Sequence, residues 1–133
     1  MSDDERQLLK YFAPDLKIAK KSEELKILAE QQNKTEGDRK VTLEFYQEIC
    51  GNEKIAKVVQ KVLGEGLKPT DPKNGVLDIV EEITNEEMLE AINFVIRWNL
   101  LMLQDKKAPA VRQNILQRLI MLSHMRDGIQ SIM

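Results

Sequence analysis

The stretch Met88-Leu89-Glu90-Ala91-Ile92-Asn93-Phe94-Val95-Ile96-Arg97-Trp98-Asn99-Leu100-Leu101-Met102-Leu103 decides the fold. It contains no proline or glycine, and wound at about 3.6 residues per turn its apolar side chains reach nearly every face. Such a helix belongs inside a bundle, surrounded by others, with Leu89, Ile92, Val95, Ile96 and Leu103 among the most buried residues. It is not a membrane span, because Glu90, Asn93, Arg97 and Asn99 interrupt it and it falls short of the ~20 apolar residues a bilayer requires. Thr84-Asn85-Glu86-Glu87, just ahead of it, has the T-x-x-E form of a capping box.

Working outward, Pro109 suits the first turn of a last helix. Val111, Ile115, Leu119, Leu122, Met125, Ile129 and Ile132 then step by three or four residues almost to the end of the chain. Upstream, Val76, Leu77, Ile79, Val80 and Ile83 read as a short apolar helix. The preceding segment 64–75, with its glycines, Pro69 and Pro72, reads as the one long loop. Thr42 can cap a helix that ends at Gly51, and Asn52 can cap a second carrying Ile55, Ala56, Val59, Val62 and Leu63. Residues 34–41 form another loop. Nearer the start, Ser2-Asp3-Asp4-Glu5 is a second capping box, opening a short helix with Leu8, Leu9, Tyr11 and Phe12 that stops before Pro14. A helix from Pro14 or Asp15 to about Asn33 follows, with Leu16, Ala19, Leu25, Leu28 and Ala29 inward and a break expected at Ser22.

The expected architecture is all-α, one domain over residues 1–133, a bundle of about five to seven helices around Met88–Leu103. Composition agrees, since 42% apolar and 32% charged residues exclude both a disordered chain and a membrane protein, and 5% aromatics disfavour strands.

Chemistry is hard to find. Cys50 and His124 are the only cysteine and histidine, so neither a disulfide nor a Cys/His zinc cluster can be built. Cys50 as a nucleophile would want a base, and His124 sits on the last helix, where a contact or capping role is the expectation. Glu82, Glu86 and Glu90 are spaced by four, yet a carboxylate-bridged metal bundle needs Glu-x-x-His pairs, and residue 121 is Met. Gly64-Glu65-Gly66 lacks the rest of any phosphate-binding loop. Ser131-Ile132-Met133 has the form of a C-terminal carboxylate ligand, a motif too short to carry weight. No catalytic, cofactor-binding or metal-binding residue is therefore expected, and no cofactor. The acidic start, Met1 to Arg6, does not read as a signal peptide, so the expected home is the reducing cytoplasm.

By elimination, the sequence points to a non-catalytic protein–protein interaction module, an adaptor, regulator or assembly subunit working through a helix face. The candidate residues are Ile115, Leu122, Met125, Ile129 and Ile132. From Pro109 to Met133 the last helix would be about 37 Å long against about 24 Å for the central run, so its end needs another cover. That cover is either the first helix, through Leu8, Leu9 and Phe12, or a protein partner or second copy of the chain in a homodimer. Met102, Met121, Met125 and Met133 add flexible apolar surface that serves cores and binding grooves alike. Trp98 reads as a packed anchor. The rival expectation is a nucleic-acid-binding regulator, using a helix-turn-helix-like segment 42–64 or Arg97, Arg112, Arg118 and Arg126 as phosphate contacts. Against it, Lys57 and Gln60 fall where that motif needs apolar residues, and Lys54, Lys57 and Lys61 are balanced by Glu44, Glu48, Glu53 and Glu65. The net charge is only −2.

Overall fold

The computed structural model describes residues 3–34, 42–65, 83–105 and 108–132, which form seven helices and no strand. They are α1 (Asp3–Tyr11), α2 (Ala13–Lys21), α3 (Glu23–Lys34), α4 (Leu43–Cys50), α5 (Glu53–Glu65), α6 (Asn85–Asp105) and α7 (Pro109–Ile132). The all-α bundle expected from the sequence is what these residues build. Of the loops expected at 34–41 and 64–75, Lys34 instead ends α3 and residues 64 and 65 end α5; residues 35–41 and 66–75, the apolar segment 76–82, Ser2 and Met133 lie outside the described residues.

Each helix boundary has a local cause. α1 and α2 are almost one helix: Phe12 N donates to Leu8 O at 3.0 Å and Leu16 N to Phe12 O at 2.9 Å, carrying the helical pattern across the kink. The break falls at Phe12, φ −90° and ψ 8°, while Ala13 ahead of the proline is itself helical, and Pro14 occupies the first turn of α2, where its missing N–H costs nothing. The expected break at Ser22 is present. Its backbone is extended and its N–H donates to Ala19 O, while its Oγ accepts from Leu25 N at 3.3 Å, so one residue closes α2 and opens α3. Thr42 Oγ1 accepts from Phe45 N at 3.3 Å, and α4 ends on Gly51 at φ 71°, a left-handed position that glycine adopts without strain.

Asn52 caps α5, its Oδ1 accepting from Lys54 N at 2.8 Å and Ile55 N at 3.2 Å. Its Nδ2 donates to Glu87 Oε2 at 2.9 Å. Glu87 belongs to the second capping box, in which Glu87 N donates to Thr84 Oγ1 at 3.1 Å and Thr84 N to Glu87 Oε1 at 3.2 Å. The starts of α5 and α6 are thus tied through one carboxylate.

The core is continuous. α6 packs against α2, α5 and α7, while α4 packs on α5 and α3 on α4. Ala91, Ile92, Val95, Ile96, Trp98, Leu100 and Leu103 of α6 are buried among Phe12, Leu28, Val59, Leu119 and Leu122 from its neighbours. Two expectations need correcting. At 100° per residue the buried positions of α6 cover an arc of roughly 200°, so the helix is enclosed on three sides and not all round. Leu89, expected among the most buried, is only partly covered, although Met88 one residue before it is 5% exposed. The face left over carries Glu90, Asn93, Phe94 and Arg97.

The last helix differs at one position. Its buried positions are Ile115, Leu119, Leu122, Arg126 and Ile129, so Arg126, and not Met125, takes the inward place in the fifth turn. Arg126 is satisfied there by Asp15 of α2, Nη1 to Oδ1 at 2.9 Å, and by Asn93 Oδ1 at 3.2 Å. Its guanidinium lies 5.6 Å from the ring centroid of Tyr11 and 5.4 Å from that of Phe12, and those two rings meet edge to face at 4.9 Å. Burial works against its charge, but the bonds from Asp15 and Tyr11 outweigh that cost and raise its pKa above the ordinary arginine value.

Candidate functional site

The sequence-derived partner stripe is largely consumed by the fold. Ile115 and Leu122 are 2% and 1% exposed and Ile129 9%, all inside the core of this chain. Met125 packs partly against that core, and Ile132 is 59% exposed. Met125 and Ile132 are seven residues apart, so they share a flank of α7 with Met121, beside the buried stripe. Met121 and Met125 on this flank are partly covered, and it ends in the exposed Ile132.

The arginines considered as phosphate contacts mostly face inward. Arg112 pairs with Glu5 of α1 and donates from Nη1 to Leu103 O at 2.7 Å, closing the C-terminal end of α6. Arg118 Nη1 donates to Asn99 Oδ1 at 3.3 Å, and the buried Asn99 returns its Nδ2 to Val95 O at 2.8 Å. With Arg126, three guanidinium groups fasten α7 to α1, α6 and α2. In the α4–α5 corner, Lys57 pairs with Glu53 at 3.2 Å along the surface of α5.

Arg97 stands apart. Its Nε is covered by protein and meets no hydrogen-bond partner. It lines a cleft of about 250 Å³ where the α2–α3 junction, the end of α4 and the start of α5 meet the open face of α6. Leu25, Ile49, Ile55 and Phe94 form its apolar wall, and Ser22, Glu24, Cys50 and Glu90 complete the lining. Ser22 Oγ donates to Glu24 Oε2 at 3.2 Å, orienting that carboxylate. The Cys50 thiol is pushed up to about 11, first by burial and then by the negative charges of Glu90 and Glu24. It is therefore protonated at neutral pH and a poor nucleophile. His124 is exposed on α7. Of the carboxylates spaced by four, Glu86 and Glu90 are both exposed and Glu82 lies outside the described residues. Among the described residues no cluster of three His, Cys, Asp or Glu side chains is placed to hold a metal ion, and no helix is long and apolar enough to cross a membrane.

The cleft was not anticipated from sequence, although a signal existed. Glu90, Phe94 and Arg97 are spaced by four and three, which puts them on one helix face outside the apolar arc. Compared with known proteins, the chain matches no family model, no curated protein and no solved structure, so any functional reading rests on its own geometry.

Proposed function

We propose that this chain is a non-catalytic protein–protein interaction module that works through the outer flank of α7. The observation that carries the reading is Ile132, 59% exposed at the end of a flank shared with the partly buried Met121 and Met125. Methionine adapts its shape to an apolar partner at little conformational cost, and an isoleucine left in water at a helix end gains by being covered. The flank stands beside a stripe locked into the core, so its backbone is held in place before binding.

The test compares native pull-down and sedimentation of the wild type with an Ile132→Asp, Met125→Gln double variant. A defined complex, with a partner protein or a second copy, that is lost in the variant without loss of melting temperature supports the proposal. A wild type that stays monomeric and partnerless, or a complex that the double variant leaves intact, refutes it.

A further inference from the structure

We propose that the cleft between α3, α4 and α6 binds a small zwitterion of the apolar α-amino-acid class, its carboxylate toward Arg97 and its ammonium toward Glu90 and Glu24. This site is separate from the α7 flank and does not depend on that reading.

Arg112, Arg118 and Arg126 each find an acceptor within the chain. Arg97 finds none among the described residues, while its Nε is sealed from water. One donor of this guanidinium has lost water without gaining a partner, and an anionic acceptor at the accessible end of the group adds charge-assisted hydrogen bonds to a cation that the described residues leave unpaired.

The other charges narrow the ligand. Glu24 and Glu90 line the same cleft and are exposed. A simple anion would meet two like charges beside the one cation, and a simple cation would face Arg97. An uncharged apolar molecule would leave all three groups unanswered. A molecule carrying both charges satisfies each. Glu90 and Arg97 stand two turns apart on α6, about 10 Å along the axis, and both line the cleft. Phe94 lies between them, and with Leu25, Ile49 and Ile55 it offers an apolar wall for a side chain. The volume, about 250 Å³, lies just under the ~300–1,000 Å³ of sites for drug-sized ligands, which suits a single amino acid.

Thermal-shift measurements with L-leucine, L-isoleucine, L-methionine and L-phenylalanine at about 10 mM test the site, since a ligand of the native state raises the melting temperature by mass action. Each active compound is then compared with its N-acetyl derivative, which lacks the ammonium, and its amide, which lacks the carboxylate. At least one free amino acid should raise the melting temperature, and both capped forms should lose most of the shift. Arg97→Gln and Glu90→Gln should each abolish it. Because Glu90 is exposed, its variant keeps the test valid if Arg97→Gln folds poorly. No shift with any of the four, an equal shift with the N-acetyl form, or a shift undiminished in folded Glu90→Gln overturns the proposal.

Discussion

Truncating Asp15 to alanine strands the Arg126 guanidinium in the seam between α2 and α7. The two side chains are 12% and 11% exposed and meet at 2.9 Å, so little water can replace the lost carboxylate. Breaking a buried pair by removing one partner costs about 3–5 kcal/mol. Here Asn93 and the faces of Tyr11 and Phe12 remain as partial compensation, which places Asp15→Ala near the low end, at about 3 kcal/mol. Asp15 also lies in the first turn of α2, where a carboxylate gains up to about 1 kcal/mol from the helix dipole. At this chain length a loss of about 3 kcal/mol lowers the melting temperature by roughly 10 °C or more. The decisive comparison is Asp15→Ala with Arg126→Met. Removing both charges leaves only the dipole term and a packing change, so the double variant should lie within about 1 kcal/mol of wild type. Urea unfolding followed by circular dichroism on the two single variants and the double closes the cycle. Asp15→Ala within about 0.5 kcal/mol of wild type, or a double variant as unstable as the two singles added, would show that the pair is not held as argued.

In α6, Ile92→Ala and Leu103→Ala, at 2% and 1% exposure, should each cost about 2–5 kcal/mol, and Leu89→Ala distinctly less; equal losses in denaturant unfolding would contradict the partial cover of Leu89. The Glu87 carboxyl is held below its ordinary value of 4.5, first by the Asn52 side chain and then by the Thr84 N–H. The unfolded chain therefore binds the proton more readily, so this stabilisation is present above about pH 4.5 and fades as pH falls through the lower folded value. Melting curves of Glu87→Gln should decline less steeply than wild type across that acidic window, and parallel declines would remove Glu87 from the account. Raising the Cys50 thiol from 9.0 to about 11 cuts its thiolate fraction roughly a hundredfold, so native Cys50 should react with iodoacetamide at pH 8 far more slowly than in the urea-unfolded chain. Equal rates would mean that the thiol is not covered.

Periodicity and capping made the helices readable. Ser22, Gly51, Asn52 and Thr84 end or begin helices for reasons written within three or four residues of each, and the structure uses each of them in that role. The candidate site was less legible, because its parts are joined only by folding. Asp15 and Arg126 lie 111 residues apart, and nothing local says that an acid on α2 will meet a base on α7. The sequence did hold a clue: Ile115, Leu119, Leu122, residue 126 and Ile129 continue a three-four step, and an arginine on that step is either a break or a buried pair. Reading Met125 in its place misassigned that one position, while Ile115, Leu119, Leu122 and Ile129 stand on the stripe as read. The cleft is assembled from four separate segments, so its lining could not be read from one window of sequence.

The Asn52–Glu87 bond has a consequence for how the bundle opens. Both helices that begin there direct the positive ends of their dipoles at the same place, and one carboxylate answers both. Fraying at the start of α5 releases Asn52 from Glu87, which loosens the Thr84 box at the start of α6, and the reverse holds equally. Two helix starts 35 residues apart in sequence then open as one cooperative unit. The amide hydrogens of Lys54, Ile55 and Glu87, each bonded to a side chain of this knot, should exchange with solvent through a shared opening rather than three independent ones.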